Sequence, residues 1–154
     1  MSFQRAPWLL LVLFSGCAPG PAPEPAATTD ALAARFEGAG RVVVGTVTDL
    51  RSGFGTNEHG DRLILTRVTL EVRETLRGEA RRTATFEMEG GRVGDLTLEV
   101  SDMPRLAAGE RGVFALRRSA AGIWVPNRRG LGILRGPGLD LERVRRVVTA
   151  GVPR

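Results

Sequence analysis

Residues Arg62–Glu74 read RLILTRVTLEVRE. From Ile64 every second residue is Ile64, Thr66, Val68, Leu70 and Val72, and from Arg67 the alternate ones are Arg67, Thr69, Glu71 and Arg73. A period of two places successive side chains on opposite faces of an extended chain. One face therefore looks into a core and the other meets water. Strands usually run about 5–6 residues, and one this long coils and bends. It closes on the turn Leu76-Arg77-Gly78. The expectation is that this is the central strand of a closed barrel.

The remaining segments suit a mostly β fold. Arg41–Asp49 is a β-branched first strand, with Gly45 marking a bend, a bulge or a close backbone approach. Leu50–Asp61 is rich in turn formers and reads as a loop. Arg81–Glu89 places Ala84, Phe86 and Met88 on one face, and Gly90-Gly91 turns the chain. Asp95–Ser101 alternates again, with Leu96, Leu98 and Val100 inward. Gly112–Arg117, Ile123–Val125 and Gly130–Arg135 are short strands, the first two joined by a hairpin loop over Ser119–Gly122. A short helix over Ala31–Glu37, capped by Asp30, carries Leu32 and Phe36, and Gly38-Ala39-Gly40 ends it. Asp140 caps a C-terminal helix with Leu141, Val144, Val147 and Val148 on one face and Arg143, Arg145 and Arg146 on the other.

The N-terminus is of a different kind. Trp8–Phe14 is a short apolar run, well below the roughly 20 residues that span a bilayer as a helix. Phe14-Ser15-Gly16-Cys17 follows, and it resembles the lipobox of bacterial lipoproteins, with Phe14 in place of the usual Leu. The resemblance implies a signal peptide over residues 1–16 and lipidation of Cys17, the chain's one cysteine. Ala18 rather than Asp after Cys17 favours the outer over the inner membrane, by resemblance to Gram-negative sorting. Residues 17–29 are Pro/Ala-rich, a semi-rigid tether. Residues 30–154 then form one domain.

Within that domain Gly45-Thr46-Val47, the long strand ending at Leu76-Arg77-Gly78, and Leu106–Glu110 before Val113–Leu116 follow one another in order. This order resembles the netrin-type module, shared with tissue inhibitors of metalloproteinases, and a set of uncharacterised bacterial exported proteins. It implies a small OB-like β-barrel, closed or partly open, with a short N-terminal helix and a C-terminal helix. The family's inhibitors chelate zinc through a disulfide-fixed N-terminal cysteine. Here residues 30–154 hold no cysteine, so that mechanism does not transfer.

Chemistry-bearing residues are sparse. His59, the one histidine, shares a loop with Asn57, Glu58 and Asp61, in no metal-ligand spacing. Glu87 and Glu89 point away from Met88, as solvated charges. Ser52, Ser101 and Ser119 lack a nucleophile-elbow context, and Gly90, Gly91 and Gly94 open no phosphate-binding helix. Phe86, Phe114 and Trp124 read as core rather than as a base-stacking platform, so no nucleic acid is expected.

All 22 basic residues are arginine. Residues 117–154 hold nine of them against Asp140 and Glu142, while residues 17–116 carry an acidic excess of three. Arg128, Arg129, Arg143, Arg145 and Arg146 are the candidate anion- or partner-binding cluster. The sequence thus points to a lipid-anchored envelope protein acting as a non-enzymatic protein-binding module, an exported protease being one partner class. The alternative is a polyanion or envelope binder using the C-terminal arginines. A hydrolytic enzyme would need a pocket gathering Glu or Asp with His59. Neither a cofactor nor a metal is implied.

Overall fold

The computed structural model describes residues 28–151. The signal segment, Cys17 and the tether up to residue 27 lie outside the described residues. The domain is mostly β. In chain order it comprises α1 (Thr29–Phe36), β1 (Arg41–Thr56), β2 (Arg62–Arg77), β3 (Thr83–Glu89), β4 (Gly91–Val93), β5 (Leu96–Leu98), β6 (Arg111–Arg118), β7 (Trp124–Pro126), a 3₁₀ turn (Arg129–Gly132), β8 (Ile133–Arg135) and α2 (Leu141–Ala150). Among these residues no helix is long and apolar enough to cross a membrane.

The main sheet runs β3-β2-β1-β6-β7, with β8 also on β6. The alternation of β2 is as expected: Ile64, Thr66, Val68 and Leu70 are buried while Arg67, Glu71 and Arg73 are exposed. Two expectations fail. The central strand is β1, flanked by β2 and β6. The sheet also does not close into a barrel, because β3 and β7 share no ladder.

The first strand is nearly twice its expected length. Leu50–Thr56, read as loop, pairs residue by residue with Arg62–Val68. Gly53, Gly55 and Ser52 have weak strand preference alone, and the apolar partner strand overrides it. Only Asn57–Asp61 turns. There Asn57 Oδ1 accepts from the His59 and Asp61 amides at 3.0 and 2.8 Å, an Asx turn.

Three register shifts bend β1, between Val42 and Val43, Val44 and Gly45, and Val47 and Asp49. Gly45 combines two of its expected roles, since it lies at a bulge and a Cβ there would come within 2.8 Å of the Glu71 carbonyl oxygen. The bending has a measurable consequence. In a flat sheet β3 and β6 would stand about 14 Å apart, three strand spacings. Yet the rings of Phe86 on β3 and Phe114 on β6 are 5.9 Å apart between centroids, tilted at 43°. The sheet is therefore curled over its own concave face. Val43, Val47, Val68, Leu70, Phe86, Phe114 and Leu116 fill that interior.

A second core covers the outer face. Val42, Val113 and Ala115 point away from the curled interior and meet Leu32 and Phe36 of α1 and Val144, Val147 and Val148 of α2. This two-sided burial explains why Gly112–Leu116 is a continuous buried run rather than an alternating one. The α2 cap is as expected, with Asp140 Oδ1 accepting from the Arg143 amide at 3.0 Å. The α1 cap is Thr28, not Asp30: its hydroxyl accepts from Ala31 at 3.3 Å, and Asp30 lies in the first turn.

Asp95–Ser101 also departs from expectation. Only Leu96–Leu98 is a strand, and it pairs with β4 in a separate two-stranded sheet. Leu96 is 60% exposed rather than inward. Gly130–Arg135 begins as a 3₁₀ turn and becomes a strand only at Ile133.

The charge asymmetry of the chain is resolved by folding. Arg117 reaches Glu58, Arg128 reaches Glu37, Arg129 reaches Glu89 and Asp102, Arg135 reaches Glu110, and Arg145 reaches Glu74. Each pair joins the basic C-terminal third to the acidic body. Partly exposed pairs of this kind contribute roughly 0–1 kcal/mol apiece. They also set a pH dependence. Hydrogen bonds from Arg117, Arg145 and Arg129 hold the carboxyls of Glu58, Glu74 and Asp102 below their ordinary values of 4.5, 4.5 and 3.8. A depressed carboxyl stabilises the fold above its ordinary pKa, and that contribution is lost as pH falls through the folded value. The thermal midpoint is expected to be level down to about pH 5 and to fall below it, with a shallower fall in Arg145→Gln. A midpoint unchanged down to about pH 3 would exclude this linkage.

Candidate functional site

The β4–β5 hairpin is a sheet of its own, seated on β1 and β2 through β4, and a cleft of about 680 Å³ opens between it, the main sheet and the segment that follows β5. That is within the roughly 300–1,000 Å³ of small-molecule and peptide sites. Leu50 and Ser52 of β1, Thr66 of β2, Met88 of β3, Val100, Ser101 and Met103–Leu106 line it, with Thr97 and Leu98 on the hairpin side. Its floor is a hydroxyl relay. Thr66 Oγ1 donates to the Gly90 carbonyl at 2.6 Å and lies 2.8 Å from Ser52 Oγ. A hydroxyl has one proton, so Ser52 donates to Thr66.

Gly91 permits this floor. Its φ is +134°, a region that side chains avoid. A Cβ there would overlap both Thr66 Oγ1 and Ser52 Oγ. In the sequence Ser52 reads as a serine without a nucleophile-elbow context, and Gly90-Gly91 as a turn that opens no phosphate-binding helix. The doublet by itself does not reveal the close approach at Gly91, because its partners depend on the β1–β2 register.

A second, smaller pocket of about 70 Å³ lies at the seam between β3 and β7, among Leu65, Met88, Met103, Ile123 and Val125. Side chains close this seam where strands do not. Glu89 accepts from Asn57 Nδ2 at 2.9 Å and from Arg129 Nη2 at 2.8 Å. It is thus a bridge across the opening, not the solvated charge expected of it. Glu87 pairs with Arg67 at 2.8 Å.

The candidate arginines are divided among several partners. Arg128 donates to Glu37 at 2.5 Å, beside the end of α1. Arg129 faces the seam. Arg128 and Arg129 both have left-handed backbones, with φ of 47° and 56°, a strained pair for non-glycine residues. The buried Asn127 holds the turn by donating to the Arg35 and Glu37 carbonyls, both at 2.9 Å. On α2, Arg143 reaches the Thr29 hydroxyl at 3.4 Å, Arg145 is held by Glu74 and Glu142, and Arg146 is exposed. Arg145 is raised above the usual arginine value, first by its hydrogen bond to Glu74. Arg128, Arg129 and Arg145 thus serve internal carboxylates.

His59 lies at the tip of the β1–β2 hairpin, 4.0 Å from Glu58. Among the described residues no group of three His, Cys, Asp or Glu side chains could hold a metal ion. Gly45-Thr46-Val47 and Leu106–Glu110, set side by side from the sequence, do meet: Val47 donates to the Glu110 carbonyl at 2.8 Å and accepts from Gly109 at 2.7 Å. No protein-family model, no curated protein and no solved structure matches the chain.

Proposed function

We propose that this chain is a lipid-anchored envelope protein whose β domain is a binding module for another envelope or secreted protein. Residues 1–16 act as the signal, acylated Cys17 as the anchor and residues 17–29 as the tether, with the outer membrane as the destination. An extended segment of the partner lies in the cleft beneath β5. An exported protease is one partner class in keeping with the netrin-like order of motifs.

The observation that carries this reading is the cleft. It is open, apolar along Leu50, Met88 and Leu106, and lined with hydroxyl groups at Ser52, Thr66 and Thr97. Exposed Leu96 stands on the hairpin above it. The two-stranded β4–β5 sheet also has free edges to which a peptide strand can add.

A photo-crosslinker placed at Thr97 in the intact envelope tests it. Adducts to one discrete protein, lost when Leu96 is changed to Asp, are expected. Adducts only to lipid or polysaccharide would refute a protein partner. Intact-mass analysis tests the anchor separately, because the mature chain should begin at Cys17 and carry acyl chains.

A further inference from the structure

Arg41 is the first residue of β1, paired across the ladder with Leu116 of β6. It is buried, with 7% of its surface exposed. Among the described residues its guanidinium makes no hydrogen bond or ion pair, and its Nε–H has neither a protein acceptor nor solvent. What it does have is an indole. The guanidinium carbon of Arg41 sits 4.7 Å from the Trp124 ring centroid, and that of Arg118 sits 4.3 Å from the same centroid.

The surroundings make Arg41 more anomalous. Burial, then the charge of Arg81, pulls it below the usual arginine value; Glu79 opposes this and Arg118 adds to it. Glu79 is already engaged, accepting from Arg81 Nη2 through both carboxylate oxygens at 2.9 Å. Arg41 therefore feels two other arginines and a single carboxylate, and that carboxylate is turned to Arg81.

Arginine keeps its charge at any accessible pH, so it cannot escape burial by deprotonating. A buried donor without an acceptor is rare and calls for an explanation. Cation–π contact with Trp124 offsets part of the desolvation but supplies no hydrogen-bond acceptor. A planar fork with free donors, beside a second guanidinium on the same ring, is the arrangement that an oxyanion completes.

We propose that Arg41, Arg118 and Trp124 form a binding site for a phosphate group, free or carried as a monoester by a small soluble molecule. The local excess of two positive charges matches the roughly −1.5 to −2 of a phosphate monoester at pH 7 better than a carboxylate's single charge. Trp124 already holds both guanidinium groups in cation–π contact before the ligand arrives. None of the three residues lines the cleft under β5, so this site is separate from the protein-binding surface and its fate does not depend on it.

The test is a titration of the protein with inorganic phosphate, and in parallel with O-phosphoserine, at constant ionic strength. The Trp124 indole N–H and the Arg41 Nε–H are followed by NMR. Saturable shifts of both signals are expected with either ligand. Arg41→Lys keeps the charge but loses the fork, and should weaken binding tenfold or more. Arg118→Gln changes an exposed side chain, leaves the fold intact and should weaken binding severalfold. Arg111→Gln, on an exposed residue outside the site, should change nothing. Absence of a saturable shift would overturn the proposal. So would equal shifts with acetate at the same ionic strength, or binding undiminished in both Arg41→Lys and Arg118→Gln.

Discussion

Phe86→Ala is expected to cost about 3–5 kcal/mol of folding stability, the range for deleting a buried aromatic ring. Phe86 is 1% exposed and is the one side chain of β3 in ring contact with β6. Its removal does more than lower buried area. The curled sheet has no ladder between β3 and β7, so closure of the interior depends on side chains that meet across it. Phe86 and Phe114 are the largest of those. A domain of this size has a total stability of about 5–15 kcal/mol, so the variant should unfold at a much lower urea concentration with a similar slope. Phe86→Leu, which keeps most of the apolar volume, should lose less than about 1.5 kcal/mol. If alanine lost no more than leucine, the ring would not be bridging the sheet.

Gly91→Ala should cost about 3 kcal/mol and remove the cleft together with its binding. Two effects add. A side chain at φ +134° is strained, and such conformations cost on the order of 1–3 kcal/mol. The new methyl also has nowhere to go, because Thr66 Oγ1 and Ser52 Oγ occupy its place. Neither hydroxyl can swing aside freely. Thr66 is buried and holds the Gly90 carbonyl, while Ser52 holds Thr66. Changing Ser52 to glycine as well should restore about 1 kcal/mol by relieving the Ser52 half of the overlap, leaving the Thr66 contact and the backbone strain in place. Chemical denaturation measures the stability, and crosslinking from Thr97 reads the binding. Full stability in Gly91→Ala would mean that β4 is free to lift off the sheet.

Much of the fold was legible because it follows from periods. The two-residue period of Ile64–Val72 and of Ala84–Met88, and the helical spacing of Leu141, Val144 and Val148, each name a buried face without reference to anything distant. Turn residues were legible for the same reason. Where the reading failed, a distant partner decided. Leu50–Thr56 became strand because β2 lay opposite. Leu96 went outward because β4 and β5 left the main sheet. Asp30 lost the cap to Thr28, two residues earlier in the chain, which is a boundary effect.

The candidate sites were less legible. The arginines of the C-terminal third were visible as an excess of charge, but five of them are matched to acids 25 to 91 residues away in the chain. Arg41 drew no attention at all. It is the first residue of a strand, and only its place against Trp124 makes it unusual.

The long alternating stretch Arg62–Glu74 keeps its role in part. By itself the sequence determined that it is a strand, and which of its faces is dry. It likewise determined two amphipathic helices, their apolar faces, and a fold that is mostly β. These properties reside in neighbouring residues, whose spacing alone decides which side chains share a surface. Tertiary structure alone decided that β1 is central, that the sheet curls without closing, that a cleft opens beneath β5, and that Arg41 is buried without an acceptor. Each of these depends on which strand pairs with which and in what register. That is settled by the summed burial of side chains far apart in the chain, and no local pattern records it.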